Sequence, residues 1–385
     1  MYAFSHRDRR LSPARRIISP VTEDGGLTHY LRLPNRSHSG NLLSQNRVAS
    51  DEMDAVLRWA LERKPQHTAE IQYLKEIGLR LAVPLRAKDE ISGILLLGPP
   101  LGRNQYSSAD KDVMQVYAQQ LALMIENARL TERALEHEKI RQVVALAAEV
   151  QDRLLPQKSI ETDAITVAAF TLPARAIGGD CYDFLNLADN GIGIALADVA
   201  GKGIAAALIM AAVQASLRII VAEGLITPAQ IASKLNSFLH RSTRSESYAT
   251  FFYAQFDAKA RQLHYVNAGH NPPFFVHSSA ASPDVTEELK DGGTIAGMFP
   301  DSEYQEQCID IRPGDLLLAF TDGLTDAINP NQEAFGEERL KALVRQIAHL
   351  PVAQIISRTS QELRVWMRDA PQFDDLTFIV AKIKE

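Results

Sequence analysis

The residues in this chain best suited to bond-breaking chemistry are aspartates at the ends of apolar runs. Asp180 and Asp183 stand in GGDCYDF, Asp198 closes the apolar run of GIGIALADVAGKG, Asp322 follows LLLAFT, and Asp374 and Asp375 precede LTFIV. One aspartate where a strand meets a turn is ordinary turn chemistry. Recurrence at four such junctions in one stretch of chain points instead to carboxylates gathered at one end of a sheet. Gathered where water is scarce, they cost several kcal/mol each unless a cation neutralises them. Hard oxygen donors favour magnesium or manganese over zinc. Gly178, Gly179, Gly201, Gly203 and Gly323 leave backbone room beside the carboxylates, including for a carbonyl turned toward a metal.

Such residues need a sheet to hold them. From Ile160 onward the strand-like runs ITVAAF, GIGIALADV, TFFYAQFD, QLHYVNAGH, DLLLAFTDG and LTFIVAKI are separated by helical stretches at Ile204–Glu223, Pro228–Leu239, Leu340–Gln346 and Val352–Met367. This pattern predicts a mixed α/β or α+β domain, a layered sheet sandwich flanked by helices. Ahead of it, neither glycine nor proline occurs between Tyr106 and Leu155, so a helix started by Ser107 or Ser108 with Asp110 has no stop signal before Pro156. Tyr117, Leu121, Met124, Ala128, Thr131 and Leu135 recur at spacings of four and three, the rhythm of a coiled coil. A second seam runs through Val143, Ala147, Val150 and Leu154. The same phase would place Glu138 and Gln142 in the seam, so the two are out of register across Glu136–Gln142, a break that marks unwinding or a change of partner. A parallel dimeric linker is the expectation, against a single amphipathic helix packed on its own domain. Before the rod, Arg16 to Gly98 reads as α+β, with a helix at Asp51–Arg63 and a hairpin over Leu79–Gly98 that turns at Ala87–Glu90.

The composition bounds the alternatives. At roughly 100–200 residues per domain, the 385 residues favour two or three domains. With 46% hydrophobic and 23% charged residues, the chain is neither disordered nor fibrous in type. Acidic residues outnumber basic ones, 47 to 41, for a formal charge of −6, which argues against affinity built on neutralising nucleic-acid phosphates. Cys181 and Cys308 are too few for a disulfide framework or a four-thiolate zinc site and fit a reducing compartment. The longest apolar run, Ile204–Val213, falls short of the roughly 20 residues of a membrane span and reads as a buried helix. The arginine-rich start MYAFSHRDRRLSPARR lacks the apolar stretch of a secretory signal. The expectation is a cytoplasmic protein with no nucleic acid and no membrane among its partners.

In that order and at those separations, GGDCYDF, ADVAGKG, FTDGLTDA and DDLT resemble the metal-dependent protein phosphatases of the PPM family, specifically the SpoIIE-like, RsbU-type branch. NAGHNPP, Asn267 to Pro273, is typical of the same branch. The resemblance implies a central β-sandwich with helices on both faces, a centre of two Mn2+ or Mg2+ ions at one end, and hydrolysis of phosphoserine or phosphothreonine on a protein. It implies that Asp198 bridges both ions, with the backbone carbonyl of Val199 as a further ligand. Asp322 and Asp374 would hold one ion, and Asp180 or Asp183 would act through bound waters or a weaker third site, with Asp375 a further candidate ligand. Water would attack phosphorus in line, without a covalent phosphoenzyme. Cys181 is no rival nucleophile, because Leu187 stands six residues on, where a cysteine phosphatase needs arginine. The chain departs from the eukaryotic-type members after Asp198, where VAGKG replaces a histidine taken as general acid. His270 is a candidate donor, although a turn histidine is more often structural. For gripping phosphate, Arg175 and Lys202 are the candidates.

LAVPL, ISGILLLG and SSADKDVMQVYAQQLALMIENARL resemble the second half of a GAF domain, over roughly residues 20–130. This implies a sensor that binds a small molecule, or nothing. His29, His38 and His67 read as surface histidines, and the region has no cysteine for covalent bilin attachment. The expected order is then a GAF-like α/β sensor domain at 1–128, a helical coiled-coil linker at 129–157, and an αββα PPM phosphatase domain at 158–385, an α+β protein overall. The RsbU-type resemblance further implies a homodimer through the linker helix and, as substrate, a phosphorylated STAS-domain anti-anti-sigma protein. Two other readings stay open: a catalytically silent adaptor that binds a phosphoprotein, and a small-molecule phosphohydrolase.

Overall fold

In a computed structural model, residues 48–49 and 78–384 are described, apart from 88–89, 104, 189–190, 225, 244–246 and 279–285. The chain divides into two units, Met1–Lys139 and Ile140–Glu385.

In the first unit, β1 (Val48–Ala49), β2 (Leu81–Ala87) and β3 (Glu90–Leu97) form an antiparallel sheet in that order. β2 and β3 are the hairpin expected over Leu79–Gly98. Alternate residues of β2, Leu81, Val83 and Leu85, are buried together with Leu95 and with Ala118, Ala122 and Ile125 of helix α1 (Ser108–Leu154). Ser107 and Asp110 cap the start of this helix reciprocally: the Ser107 N–H donates to Asp110 Oδ2 at 2.9 Å, and the Asp110 N–H donates to Ser107 Oγ at 3.2 Å. The helix then runs unbroken through Glu136–Gln142. Tyr117, Met124 and Leu135 of the first seam and Val143 and Val150 of the second are all more than half exposed. The helix expected at Asp51–Arg63 lies outside the described residues, as does most of the 1–128 region.

The second unit is a sandwich with a helix pair on each outer face. One antiparallel sheet has the order β11 (Thr286–Glu288), β10 (Phe274–Val276), β14 (Leu316–Phe320), β15 (Leu376–Ile383), β5 (Ile165–Leu172), β4 (Ile160–Glu161). The other has β12 (Gly292–Gly293), β9 (Gln262–Ala268), β8 (Ala249–Asp257), β7 (Ile192–Val199) and β6 (Asp180–Asn186), with β13 (Gln307–Asp310) also paired to β9. Strand alternation assigns each side chain to a layer. Ile194, Leu196 and Phe252 meet Val167, Leu317 and Ile379 between the sheets. Each such fully buried side chain contributes about 1.5–3 kcal/mol.

On the outer face of the second sheet, Ala195, Ala197 and Tyr253 pack under α2 (Ile204–Ala222) and α3 (Pro228–Ser242). On the other side, Leu318, Phe320 and Phe378 pack under α5 (Glu337–Ile347) and α6 (Val352–Met367), while the short α4 (Asp322–Thr325) follows β14 directly. α2 continues the apolar run Ile204–Val213 to Ala222. Among the described residues it is the one helix long and apolar enough to cross a bilayer by length and composition. Here its Met210, Val213 and Leu217 are buried against the sheet.

The packing distinguishes the two cysteines. Cys181 is buried on the helix side of β6, where desolvation pushes its thiol well above the ordinary range, whereas Cys308 is exposed on β13. A thiol reagent is expected to modify Cys308 in the native protein and Cys181 only on unfolding. Two fast equivalents from native protein, read by mass spectrometry, would contradict this arrangement.

Candidate metal centre

The two-residue period of a strand decides where each aspartate points. On β7, Ile194 and Leu196 face the other sheet while Ala195, Ala197 and Val199 face the helices, so Asp198 lies on the inter-sheet side. On β6, Tyr182 belongs to the inter-sheet core and Cys181 and Leu185 to the helix side. Asp180 is thus between the sheets and Asp183 is not. The register pairs Asp180 directly with Asp198. From the opposite sheet, Thr321 ends the run of β14 ahead of Asp322, and its hydroxyl donates to Asp180 Oδ2 at 2.9 Å. Asp374 and Asp375 enter β15 beside it, with the Thr321 N–H donating to the Thr377 carbonyl at 2.9 Å.

The electrostatics follow from this convergence. Burial, then the charges of Asp322, Asp374 and Asp375, pushes the Asp198 carboxyl up to about 7, with Lys202 pulling the other way. Asp322 is raised by burial and then by Asp374 and Asp326. Asp180, 6% exposed, is held well above the usual carboxylate range by burial and then by Asp198. The carboxylates share one field without closing on one point: among the described residues no three acidic, histidine or cysteine side chains form a ready cage. Magnesium and manganese sites are commonly completed by water and substrate oxygens, so an open, all-oxygen set of mutually repelling carboxylates fits such a cation.

Two of the sequence-predicted aspartates have their oxygens engaged elsewhere. Asp375 Oδ1 accepts the Ala174 N–H at 2.8 Å and Oδ2 the Gly179 N–H at 2.6 Å, tying down the loop between β5 and β6. A Cβ at Gly178 would fall 2.5 Å from Asp375 Oδ2, so the loop closes on the carboxylate only with glycine there. Asp183, on the helix side, takes a two-point ion pair from Arg218 of α2, at 2.6 and 3.1 Å, and accepts the Phe184 N–H at 2.9 Å. Val199 is buried, and its carbonyl oxygen lies 2.9 Å from where a Cβ on Gly179 would sit. Lys202 Nζ donates to Asp374 Oδ2 at 2.9 Å and to the Phe373 carbonyl at 2.7 Å. Arg175 is exposed on the loop that Asp375 anchors. His270 is buried, with Nδ1 2.8 Å from Thr250 Oγ1 and its backbone N–H donating to Asn267 Oδ1 at 2.7 Å. Burial pulls its pKa to about 4, which leaves a neutral ring built into a turn rather than an acid.

The supporting residues had weaker sequence signals. Gln151, in the last turns of α1, grips Gly178 at two points: its Nε2 donates to the Gly178 carbonyl at 2.7 Å, and its Oε1 accepts the Gly178 N–H at 3.1 Å. Gln214 Nε2 donates to the Leu154 carbonyl at 2.9 Å, and the Tyr182 hydroxyl to the Pro156 carbonyl at 2.9 Å. Thr321 was open to detection as the residue between the strand and Asp322. Arg218 was not, because its partner lies 35 residues away in no shared motif.

Residues 188–384, about half of the chain, match the family of Stage II sporulation protein E (SpoIIE). The chain is 29% identical over 255 residues to phosphoserine phosphatase RsbU of Bacillus subtilis (strain 168), a match covering 66% of this chain and 73% of RsbU. It is 30% identical over 272 residues to protein IcfG of Synechocystis sp., a match covering 64% of this chain and 41% of IcfG. The SiaA-PP2C domain of Pseudomonas aeruginosa shares the fold, with a TM-score of 0.56 at 22% identity over 66% of this chain and 100% of that domain. The chain therefore belongs to the Stage II sporulation protein E (SpoIIE) family, and its second unit is a protein serine/threonine phosphatase domain.

Proposed function

We propose that the chain hydrolyses phosphoserine or phosphothreonine on a protein, using Mn2+ or Mg2+ held by Asp198, Asp322 and Asp374. The observation that carries this reading is the meeting of the two sheet ends: Thr321, next to Asp322, donates to Asp180, the register partner of Asp198, and Lys202, four residues past Asp198, reaches Asp374. Divalent cations there would supply the charge that lets water act as a nucleophile near neutral pH and that offsets the phosphoryl oxygens.

The chain's own residues do the positioning. Asp198 stands centrally, with the Val199 carbonyl beside it as a further donor. Asp180, held by the Thr321 hydroxyl, keeps a buried carboxyl behind Asp198. Asp375 anchors the loop that carries the exposed Arg175, whose guanidinium would grip phosphate bidentately. Asp183 supports β6 through Arg218, a helix-side role in place of a direct one. His270, neutral and engaged, braces Thr250, the register partner of Asp198.

The substrate in this reading is a phosphorylated STAS-domain anti-anti-sigma protein, as the RsbU-type motifs imply; the relative named a phosphoserine phosphatase supports the phosphoserine part of that reading. The first unit would be a GAF-like sensor for a small molecule, with homodimerisation along the exposed seams of α1. A change in pairing across Glu136–Gln142 would reach the site through the grip of Gln151 on Gly178.

One assay separates the competing readings. Wild type should hydrolyse a phosphorylated STAS protein in the presence of manganese, and Asp198→Asn or chelation should lower the rate about a hundredfold or more. Activity that survives either change would overturn the metal reading. Hydrolysis of p-nitrophenyl phosphate but of no phosphoprotein would favour a small-molecule enzyme, and phosphoprotein binding without turnover an adaptor. For regulation, inserting one heptad before Glu136 should preserve the response of activity to the sensor, whereas a two-residue insertion should abolish it; identical responses would refute transmission by coiling.

A further inference from the structure

Lys202 lies between the strand end that carries Asp198 and the start of α2. It is flanked by Gly201 at φ 104° and Gly203 at φ 80°, conformations that residues with a Cβ rarely adopt. This doubly left-handed turn sends the side chain across to the other sheet's end, where the ammonium donates to Asp374 Oδ2 and to the Phe373 carbonyl at 2.9 and 2.7 Å. The second carboxylate oxygen, Oδ1, accepts the Asp375 N–H at 3.0 Å. Oδ2 is therefore the Asp374 oxygen that the ammonium holds. A lysine that starts beside the strand end carrying Asp198 and reaches the Asp374 carboxylate of the other sheet is placed as a counter-ion bridging the two contributions to the centre.

We infer that Lys202 is a tethered counter-ion that competes with the divalent cation for Asp374 and, once displaced, stays beside the centre to meet the substrate's phosphate. This rests on the reading of Asp198, Asp322 and Asp374 as the metal-holding residues. Both partners of the pair are 43% exposed, and an ion pair so open to water is weak enough to exchange readily. The lysine thus keeps the carboxylates from repelling one another apart before an ion arrives, at the cost of weaker metal binding. Its placement also gives it two separable signatures, one in metal affinity without substrate and one in substrate affinity.

Mn2+ binding to the full chain, measured by titration calorimetry without substrate, tests this. Lys202→Met should bind Mn2+ roughly 3- to 10-fold tighter than wild type, from loss of the competing pair and of cation–cation repulsion, whereas Lys202→Arg should stay near wild type. In turnover, Lys202→Met should show a raised KM for the phosphoprotein with a smaller change in kcat. Circular dichroism melting checks that each variant is folded, and Lys202→Gln substitutes for Lys202→Met if that variant is not. Mn2+ affinity equal to or below wild type in the folded, charge-removed variant would overturn the counter-ion role while leaving the metal site standing. Wild type that binds no Mn2+, or Asp198→Asn that binds it unchanged, would instead refute the metal reading and this inference with it.

Discussion

Mutual repulsion among carboxylates at one end of the sandwich is the interaction on which the site depends. The register of β6 with β7 sets Asp180 opposite Asp198, and the meeting of the two sheets adds Asp322 and Asp374. Left alone, such a cluster would splay apart or take up protons. Two of these aspartates are instead held by their neighbours, Asp180 by the Thr321 hydroxyl and Asp374 by the Asp375 N–H and Lys202, while both oxygens of Asp375 hold the β5–β6 loop. An unfavourable arrangement kept by favourable contacts around it is how a fold prepares a place for a cation.

The same scaffolding connects the site to the end of the long helix. Gly178 is shared: Gln151 grips its backbone from α1, and the next residue, Gly179, donates to Asp375. The Leu154 carbonyl is held by Gln214, and Arg218 of the same helix pairs with Asp183 on β6. A shift of the last turns of α1 would therefore be felt on both faces of the strand that carries Asp180. This contact chain ties the last turns of α1 to the loop and the strand beside the site.

The parts of this arrangement governed by local pattern were legible in the sequence. The alternation in GIGIALADV predicts a strand with Asp198 at its end, and the periodic run Val352–Met367 predicts helix α6 with the same bounds. The short strands β10 to β13 were not legible, since two to four residues carry no usable period. The difference between Asp180 and Asp183 was present as parity, because residues three apart on a strand face opposite ways. It becomes readable only once GGDCYDF is recognised as β6. The pairing of Asp183 with Arg218 and the grip of Gln151 on Gly178 depend on how distant segments meet, which no local spacing encodes.

The most direct test of the central claim is anomalous scattering at the manganese edge from crystals of the full chain grown with Mn2+. Anomalous peaks bounded by Asp198, Asp322 and Asp374, with Lys202 Nζ moved off Asp374, are the predicted result. Ordered manganese elsewhere and none beside Asp198 would contradict the assignment of these aspartates as the metal centre.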